Sequence, residues 1–138
     1  MTQEEKQLLL ADICARLPYG TKVKCPSDDE PYTLLSINWN KEIVVIGFMV
    51  DEMYATSKQK LVDIKPYLRP MSSMTKEEQK EFAKFHCVNI CPIVITEELT
   101  ISNEAKMFDW LNAHHFDYRG LIQKGLAIST EEFNPYKD

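Results

Sequence analysis

The sequence lacks several features by which protein classes are often recognised. Its four glycines are isolated, so no loop has the spacing that cradles a nucleotide phosphate. Its longest apolar run, Ile43–Val50, is far shorter than the roughly 20 residues that span a bilayer. No segment is repeated or of low complexity. These absences exclude a glycine-rich nucleotide loop, a membrane-spanning helix and a solenoid.

The N-terminus also lacks a basic start of the kind that opens a signal peptide, since it reads Met-Thr-Gln-Glu-Glu. We therefore expect a cytoplasmic protein. In that reducing compartment the four cysteines are expected to be free thiols that act as small apolar core residues. They are Cys14, Cys25, Cys87 and Cys91.

The balance of residues is that of one globular domain. The chain has 138 residues, of which 44% are hydrophobic and 27% are charged. We divide the domain, residues 1–138, into a helix plus β-rich part (1–64), a connecting strap (65–78) and a mainly helical part (79–138). The formal net charge of −5 opposes bulk attraction to nucleic acid.

A helix and a small antiparallel sheet are predicted in the first part. Thr2 and Glu5 have the spacing of a capping box, and the helix that follows has one apolar stripe. The stripe consists of Leu10, Ile13, Cys14 and Leu17. Strands are expected over 21–25, 32–39, 43–50 and near 61–64.

The third strand has no polar face, which places it in the middle of the sheet. Gly47 within it indicates a bulge, where a sheet bends strongly enough to begin closing. The predicted class is therefore α+β, with an N-terminal helix, a curled antiparallel sheet and a helical C-terminal half. An SH3-like barrel is the closed alternative for this sheet.

The part after the strap is predicted to be mainly helical. Thr75 and Glu78 repeat the capping-box spacing ahead of a helix that carries Phe82 and Phe85 on one side. Residues 93–95 and 99–101 resemble strands, and a further helix is expected after Ser102 or Asn103.

A last short helix is expected to be capped by Asp117. Gly125 is suited to the left-handed position just past its end. Leu121 and Leu126 then occupy the two positions that make the apolar contact of a Schellman motif.

Three segments resemble short uncharacterised proteins of gut Bacteroidales and their prophages. They run over 8–20, 65–75 and 110–122, and the last includes Trp110-Leu111-Asn112 and Phe116-Asp117-Tyr118-Arg119-Gly120. The resemblance covers most of the chain. It implies a bacterial or phage-encoded cytoplasmic protein with an accessory role, and it assigns no active site and no cofactor.

Two chemical sites are weighed as alternatives. His86, Cys87 and Cys91, with His114 and His115 downstream, include the residue types of a zinc site. A thiol-dependent enzyme would need Cys14, Cys25, Cys87 or Cys91 to meet a histidine in space, and no local signature supports any such pairing. A single Cys-x-x-x-Cys pair without a second pair is a weak signal, so packed cysteines and helix-end histidines are the simpler interpretation.

The segment 58–76, which overlaps the strap, is the basic part of an acidic chain and is the one candidate surface for nucleic acid. Its cations are Lys58, Lys60, Lys65, Arg69 and Lys76, with Tyr54 and Tyr67 near them in sequence.

The favoured function is a non-enzymatic module that contacts another protein. Exposed aromatic and Arg residues are the usual anchors of such contacts. Tyr67, Arg69, Tyr118 and Arg119 are the candidate binding residues, and the alternative is that Tyr67 is core and Tyr118 closes the last helix.

Overall fold

The computed structural model describes residues 1–85 and 97–137, with residues 97–103 described by their backbone alone. Helices α1, α2 and α3 span Gln3–Arg16, Lys76–Ala83 and Glu97–Ala113. Strands β1 to β6 span Lys22–Lys24, Tyr32–Asn38, Ile43–Val50, Met53–Lys60, Lys65–Leu68 and Ile128–Ser129. The predicted α+β class is confirmed. Within the described ranges, no helix has the length and apolar character to cross a membrane.

The strands form one open sheet in the order β4-β3-β2-β1-β5-β6. All neighbours are antiparallel except β5 and β6, which are parallel. The SH3-like barrel is therefore wrong. The sheet stays open because β5 pairs with β1 and not with β4. Strand β4 therefore forms one edge of the sheet and β6 the other.

Helix α1 covers one face of this sheet. Its Leu9 and Ile13 are fully buried in a core cluster with Val23 of β1, Leu34 of β2 and Ile46 of β3. Strand β3 lies between β2 and β4, as its continuous apolar sequence predicts. We call the face that α1 covers the inner face and the opposite side the outer face.

The bulge that Gly47 was expected to mark lies in the neighbouring strand. The register of β2 against β3 shifts between Leu34 and Ser36, so Leu35 is the extra residue. Gly47 instead leaves room for side chains, because a Cβ there would lie 2.6 Å from Leu35 Cδ1 and from Tyr54 Cε1. The extra residue leaves Leu35 and Ser36 on the outer face and returns Ile37 to the core on the inner face.

Strand β4 was not predicted, and the strand expected near 61–64 is wrong. Leu61–Asp63 forms a 3-10 turn. Strands β3 and β4 are joined by a two-residue turn in which Asp51 and Glu52 have φ of 48° and 69°. That combination belongs to a type I′ turn, which usually carries Asn or Gly, so the sequence gives no signal of it.

The buried stripe of α1 differs from the predicted one. Cys14 is exposed, and the buried positions are Leu9, Asp12, Ile13 and Arg16. The apolar pattern did not predict the buried stripe because two of its members, Asp12 and Arg16, are charged. Cys25 is buried, as expected of a core thiol.

The C-terminal helices pack on each other through aromatic rings. The rings of Phe82 and Phe85 lie 5.8 and 6.3 Å from that of Trp110 in α3. Because α3 begins at Glu97, the strand at 99–101 and the caps at Ser102 or Asn103 are wrong, while the strand at 93–95 lies outside the described residues.

The Schellman geometry at Gly125 is confirmed. Gly125 has φ of 74°, its N–H donates to Ile122 O at 3.1 Å, and the N–H of Leu126 donates to Leu121 O at 2.9 Å. Asp117 caps the segment through both carboxylate oxygens, which accept from the Leu121 and Ile122 amides at 2.9 and 3.0 Å. The segment consists of hydrogen-bonded turns, so the α-helix predicted there is wrong.

Candidate functional site

A buried ion pair joins α1 to the segment after α3. Arg16 Nε donates to Asp12 Oδ2 at 2.8 Å, and both side chains are fully buried. Arg16 Nη2 also donates to the carbonyl of Phe116 at 2.5 Å. Burial raises the pKa of Asp12, and the Arg16 charge offsets part of that rise. The ion pair, which we call the buried fastener, therefore holds α1 to the segment after α3.

Tyr118 and Arg119, two of the predicted binding residues, border this pair. Arg119 Nε lies 3.8 Å from Asp12 Oδ1, and the Arg119 side chain is 26% exposed. The guanidinium carbons of Arg16 and Arg119 lie 5.2 and 5.1 Å from the centre of the Tyr118 ring. Tyr118 also donates to Asn112 Oδ1 at 2.9 Å. Both side chains thus have internal partners.

Arg69 has a similar internal role. It forms a bidentate pair with Glu78 at 2.6 and 2.7 Å, and its guanidinium carbon lies 4.2 Å from the centre of the Phe116 ring. This pair holds the pKa of Glu78 at about 2. The arrangement ties the strap to α2 and leaves little of the Arg69 charge for a ligand.

Tyr67 is 3% exposed and lies in the core between β1 and β6. Its carbonyl accepts from the hydroxyl of Tyr136 at 2.8 Å. The Tyr136 ring in turn stacks on His115, with ring centres 3.7 Å apart and an angle of 8°. Burial raises the pKa of Tyr136, so its hydroxyl stays protonated and donates.

These contacts predict two phases of acid destabilisation. Burial lowers the pKa of His115 from 6.5 to about 4. Between these two pH values His115 is protonated in the unfolded chain but neutral in the folded chain. The free energy of unfolding therefore falls as the pH drops from 6.5 to about 4. Glu78 adds a second loss between pH 4.5 and about 2. Each shift corresponds to at most about 3 kcal/mol.

Thermal unfolding measured from pH 8 to 2 checks this. His115→Asn, which tolerates the left-handed backbone, should remove the first phase, and Glu78→Gln should flatten the second. His114→Asn is the control for the first phase. A first phase that survives His115→Asn would show that another group causes it.

The predicted nucleic-acid cations are spread over several separate places. Lys58 and Lys60 on β4 and Lys65 on β5 are exposed on the outer face, but three strands separate them, or about 19 Å at the usual spacing. Arg69 is paired with Glu78, and Lys76 is exposed at the start of α2. The strap therefore does not present one continuous basic surface.

The proposed zinc ligands His86, Cys87 and Cys91 lie outside the described residues. Among residues 1–85 and 97–137, no group of three His, Cys, Asp or Glu side chains has a metal-binding arrangement. His115 has a buried Nδ1 without a hydrogen-bond partner in this part of the chain.

Several exposed apolar side chains lie together on the outer face of β2, β3 and β4. Leu35, Met49 and Tyr54 are 37%, 59% and 52% exposed, and Ile43 and Val45 beside them are half-buried. The Leu35 and Tyr54 side chains approach each other over Gly47. The described part of the chain thus leaves the centre of this face uncovered.

Lysines lie on both sides of this apolar centre. Lys22 of β1 is paired with Thr33, and Thr33 is paired with Gly47, which puts Lys22 on the outer face. The alternation of a strand places Lys24 there too. Lys58 and Lys60 occupy the other side on β4. The outer face therefore has an apolar centre and basic flanks in an acidic protein.

Sequence reasoning missed this face although one signal for it exists. The run Ile43–Val50 is apolar at every position but Gly47, so both sides of β3 need cover. Helix α1 supplies cover for the inner side. A strand that is apolar on both sides, in a sheet with only one helix to cover it, therefore indicates that one face of the sheet is exposed.

Comparison with known proteins finds no family model, no curated protein and no solved structure that matches this chain.

Proposed function

We propose that this chain is a non-enzymatic protein-interaction module whose outer face binds an apolar segment of another protein. The observation that carries the proposal is that β3 has apolar side chains on both sides while only the inner side is packed against α1. Contiguous exposed apolar side chains on a folded protein are typical of contact surfaces. The predicted binding residues Tyr67, Arg69, Tyr118 and Arg119 are replaced in this proposal by Leu35, Met49 and Tyr54.

The flanking lysines define the chemistry of the partner. Lys22, Lys58 and Lys60 favour acidic side chains on either side of the apolar segment, whereas Lys24 already pairs with Asp29 at 3.2 Å. Complementary charge mainly adds specificity and association rate. The apolar centre contributes part of the affinity. Full burial of a Met or Leu side chain contributes about 1.5–3 kcal/mol, so covering the exposed parts of Leu35, Met49 and Tyr54 gives a few of the about 8 kcal/mol that a micromolar complex needs.

Site-specific photo-crosslinking in the native host tests the proposal. A benzophenone amino acid at Tyr54 should give a discrete adduct with one protein, which mass spectrometry then identifies. Phe133 is the matched control, because it is also aromatic and also 52% exposed but lies in the C-terminal segment. Equal adduct patterns from both positions would refute the outer face as the contact surface.

A second candidate is binding of single-stranded nucleic acid across the same face. It is favoured by Lys58, Lys60 and Lys65, which share the outer face with Lys22 and Lys24. The net charge of −5 and a centre with Tyr54 as its one aromatic side chain oppose it, since such sites use aromatic stacking platforms. Fluorescence anisotropy of a labelled oligonucleotide at low salt separates the two, because nucleic-acid binding must weaken steeply with salt.

The accessory role in a bacterium or phage that the resemblance implies stays a prediction. The zinc alternative also stays one, because His86, Cys87 and Cys91 lie outside the described residues, and so does the thiol-dependent enzyme.

A further inference from the structure

Strand β4 ends the sheet, and its outer edge has no strand beside it among the described residues. An edge of eight residues presents backbone N–H and C=O groups to whatever strand approaches. The turn at Asp51 and Glu52 sets which groups these are. In a two-residue hairpin the flanking residues Val50 and Met53 form a hydrogen-bonded pair, and such pairs recur at every second position.

The backbone groups of Tyr54, Thr56 and Lys58 therefore point away from β3. We propose that β4 pairs antiparallel with β4 of a second copy of this chain, in a register centred on Thr56. This register places Thr56 opposite Thr56, Tyr54 opposite Lys58 and Glu52 opposite Lys60. It uses the outward backbone groups of both strands and closes a symmetric dimer.

Charge complementarity selects this occupant and this direction. The acidic end of the hairpin, Asp51 and Glu52, meets the basic end, Lys58 and Lys60, only when the two strands run antiparallel. A parallel pair would set the lysines beside each other.

Lysines on an edge strand also serve in many proteins to prevent pairing. Here they cluster at one end of β4, whereas Met53, Tyr54 and Ala55 form an uncharged end. Lysines that only prevent pairing would not require acidic residues at the opposite end of the same strand, such as Asp51 and Glu52 in the turn before β4. The inference does not rest on the proposed function, since it uses the backbone edge and the charges of β4 and needs neither Leu35 nor Met49.

Disulfide trapping tests the register. In a Cys14→Ser background, which removes the exposed thiol of α1, Thr56→Cys should form a covalent dimer under mild oxidation. Directly opposed residues of a hydrogen-bonded pair lie about 5.5 Å apart at Cα, which suits a disulfide. Val62→Cys, at a position that is also exposed but lies past the end of β4, is the matched control. The background protein without added cysteine controls for the remaining thiols.

A charge swap tests the pairing without cysteine. Lys60→Glu should weaken dimerisation, measured by analytical ultracentrifugation, by about tenfold, and Glu52→Lys should do the same. The double variant restores the opposite charges and should recover the dimer. Circular dichroism checks that each variant is folded.

A monomeric wild type at high protein concentration, or Thr56→Cys dimers no more abundant than those of Val62→Cys, would overturn the inference. A double variant as weak as the single ones would overturn the register. None of these results tests the apolar centre of the outer face. Self-association and partner binding also separate by mass, because a Tyr54 crosslink within the dimer has twice the mass of the chain.

Discussion

Replacing Arg16 by alanine is expected to lower the free energy of unfolding by about 3–5 kcal/mol, because the change leaves the Asp12 carboxylate buried without its partner. Arg16 is fully buried and joins Asp12 of its own helix to the carbonyl of Phe116. Its loss removes both contacts at once. Urea unfolding followed by circular dichroism measures the change.

A double-mutant cycle shows whether the pair is responsible. Asp12→Ala with Arg16→Ala should cost clearly less than the sum of the single changes, since neither charge is then left alone. Lys6 and Glu42 form an ion pair that is exposed to solvent, and Lys6→Ala should cost less than about 1 kcal/mol. An Arg16→Ala variant as stable as Lys6→Ala would contradict the account of the buried fastener.

Phe116→Ala is the second large effect, with an expected loss of about 3–5 kcal/mol of stability. The Phe116 side chain is fully buried, stacks 5.7 Å from the Trp110 ring, and carries the Arg69 guanidinium 4.2 Å from its centre. Its removal opens a cavity where α3, the strap and α1 meet.

Phe108→Ala is the matched control, because the same atoms are removed from a ring that is 42% exposed. It should cost about 1 kcal/mol or less, measured by the same urea unfolding. Equal losses for the two variants would mean that Phe116 does not hold the parts of the chain together.

Local patterns predicted what is formed by neighbours in sequence. Both capping boxes, Thr2 with Glu5 and Thr75 with Glu78, have the expected reciprocal bonds. The Schellman motif was predicted at Gly125 because glycine signals a left-handed residue. The end of α3 has the same geometry with His115 at φ of 64°, and there the residue type gives no such signal.

Contacts between distant parts of the chain escaped the sequence. Asp12 and Arg16 look like a solvated pair at helical spacing, and only the approach of residue 116 makes them core. In the same way Arg69 and Tyr118 look like exposed anchors until their partners across the fold are known. The sequence shows that these side chains can form ion pairs and hydrogen bonds, but it does not show that they are buried.

The hypothesis about function depends on the sheet being open. A closed barrel would have paired β4 and enclosed one side of β3. In the open sheet α1 protects the inner face, while Leu35, Met49 and Tyr54 remain on the other side. The edge of β4 and the outer face are then two separate places for contact.

Calorimetric titration of the chain with the partner segment captured from Tyr54 is the most direct test of the outer face as a binding surface. Met49→Ser should weaken binding about tenfold or more through lost apolar burial, while Met71→Ser, the same change at an exposed methionine of the strap, should bind like the wild type. Both positions are exposed, so neither variant should unfold. Equal affinities for Met49→Ser and the wild type would contradict the proposal.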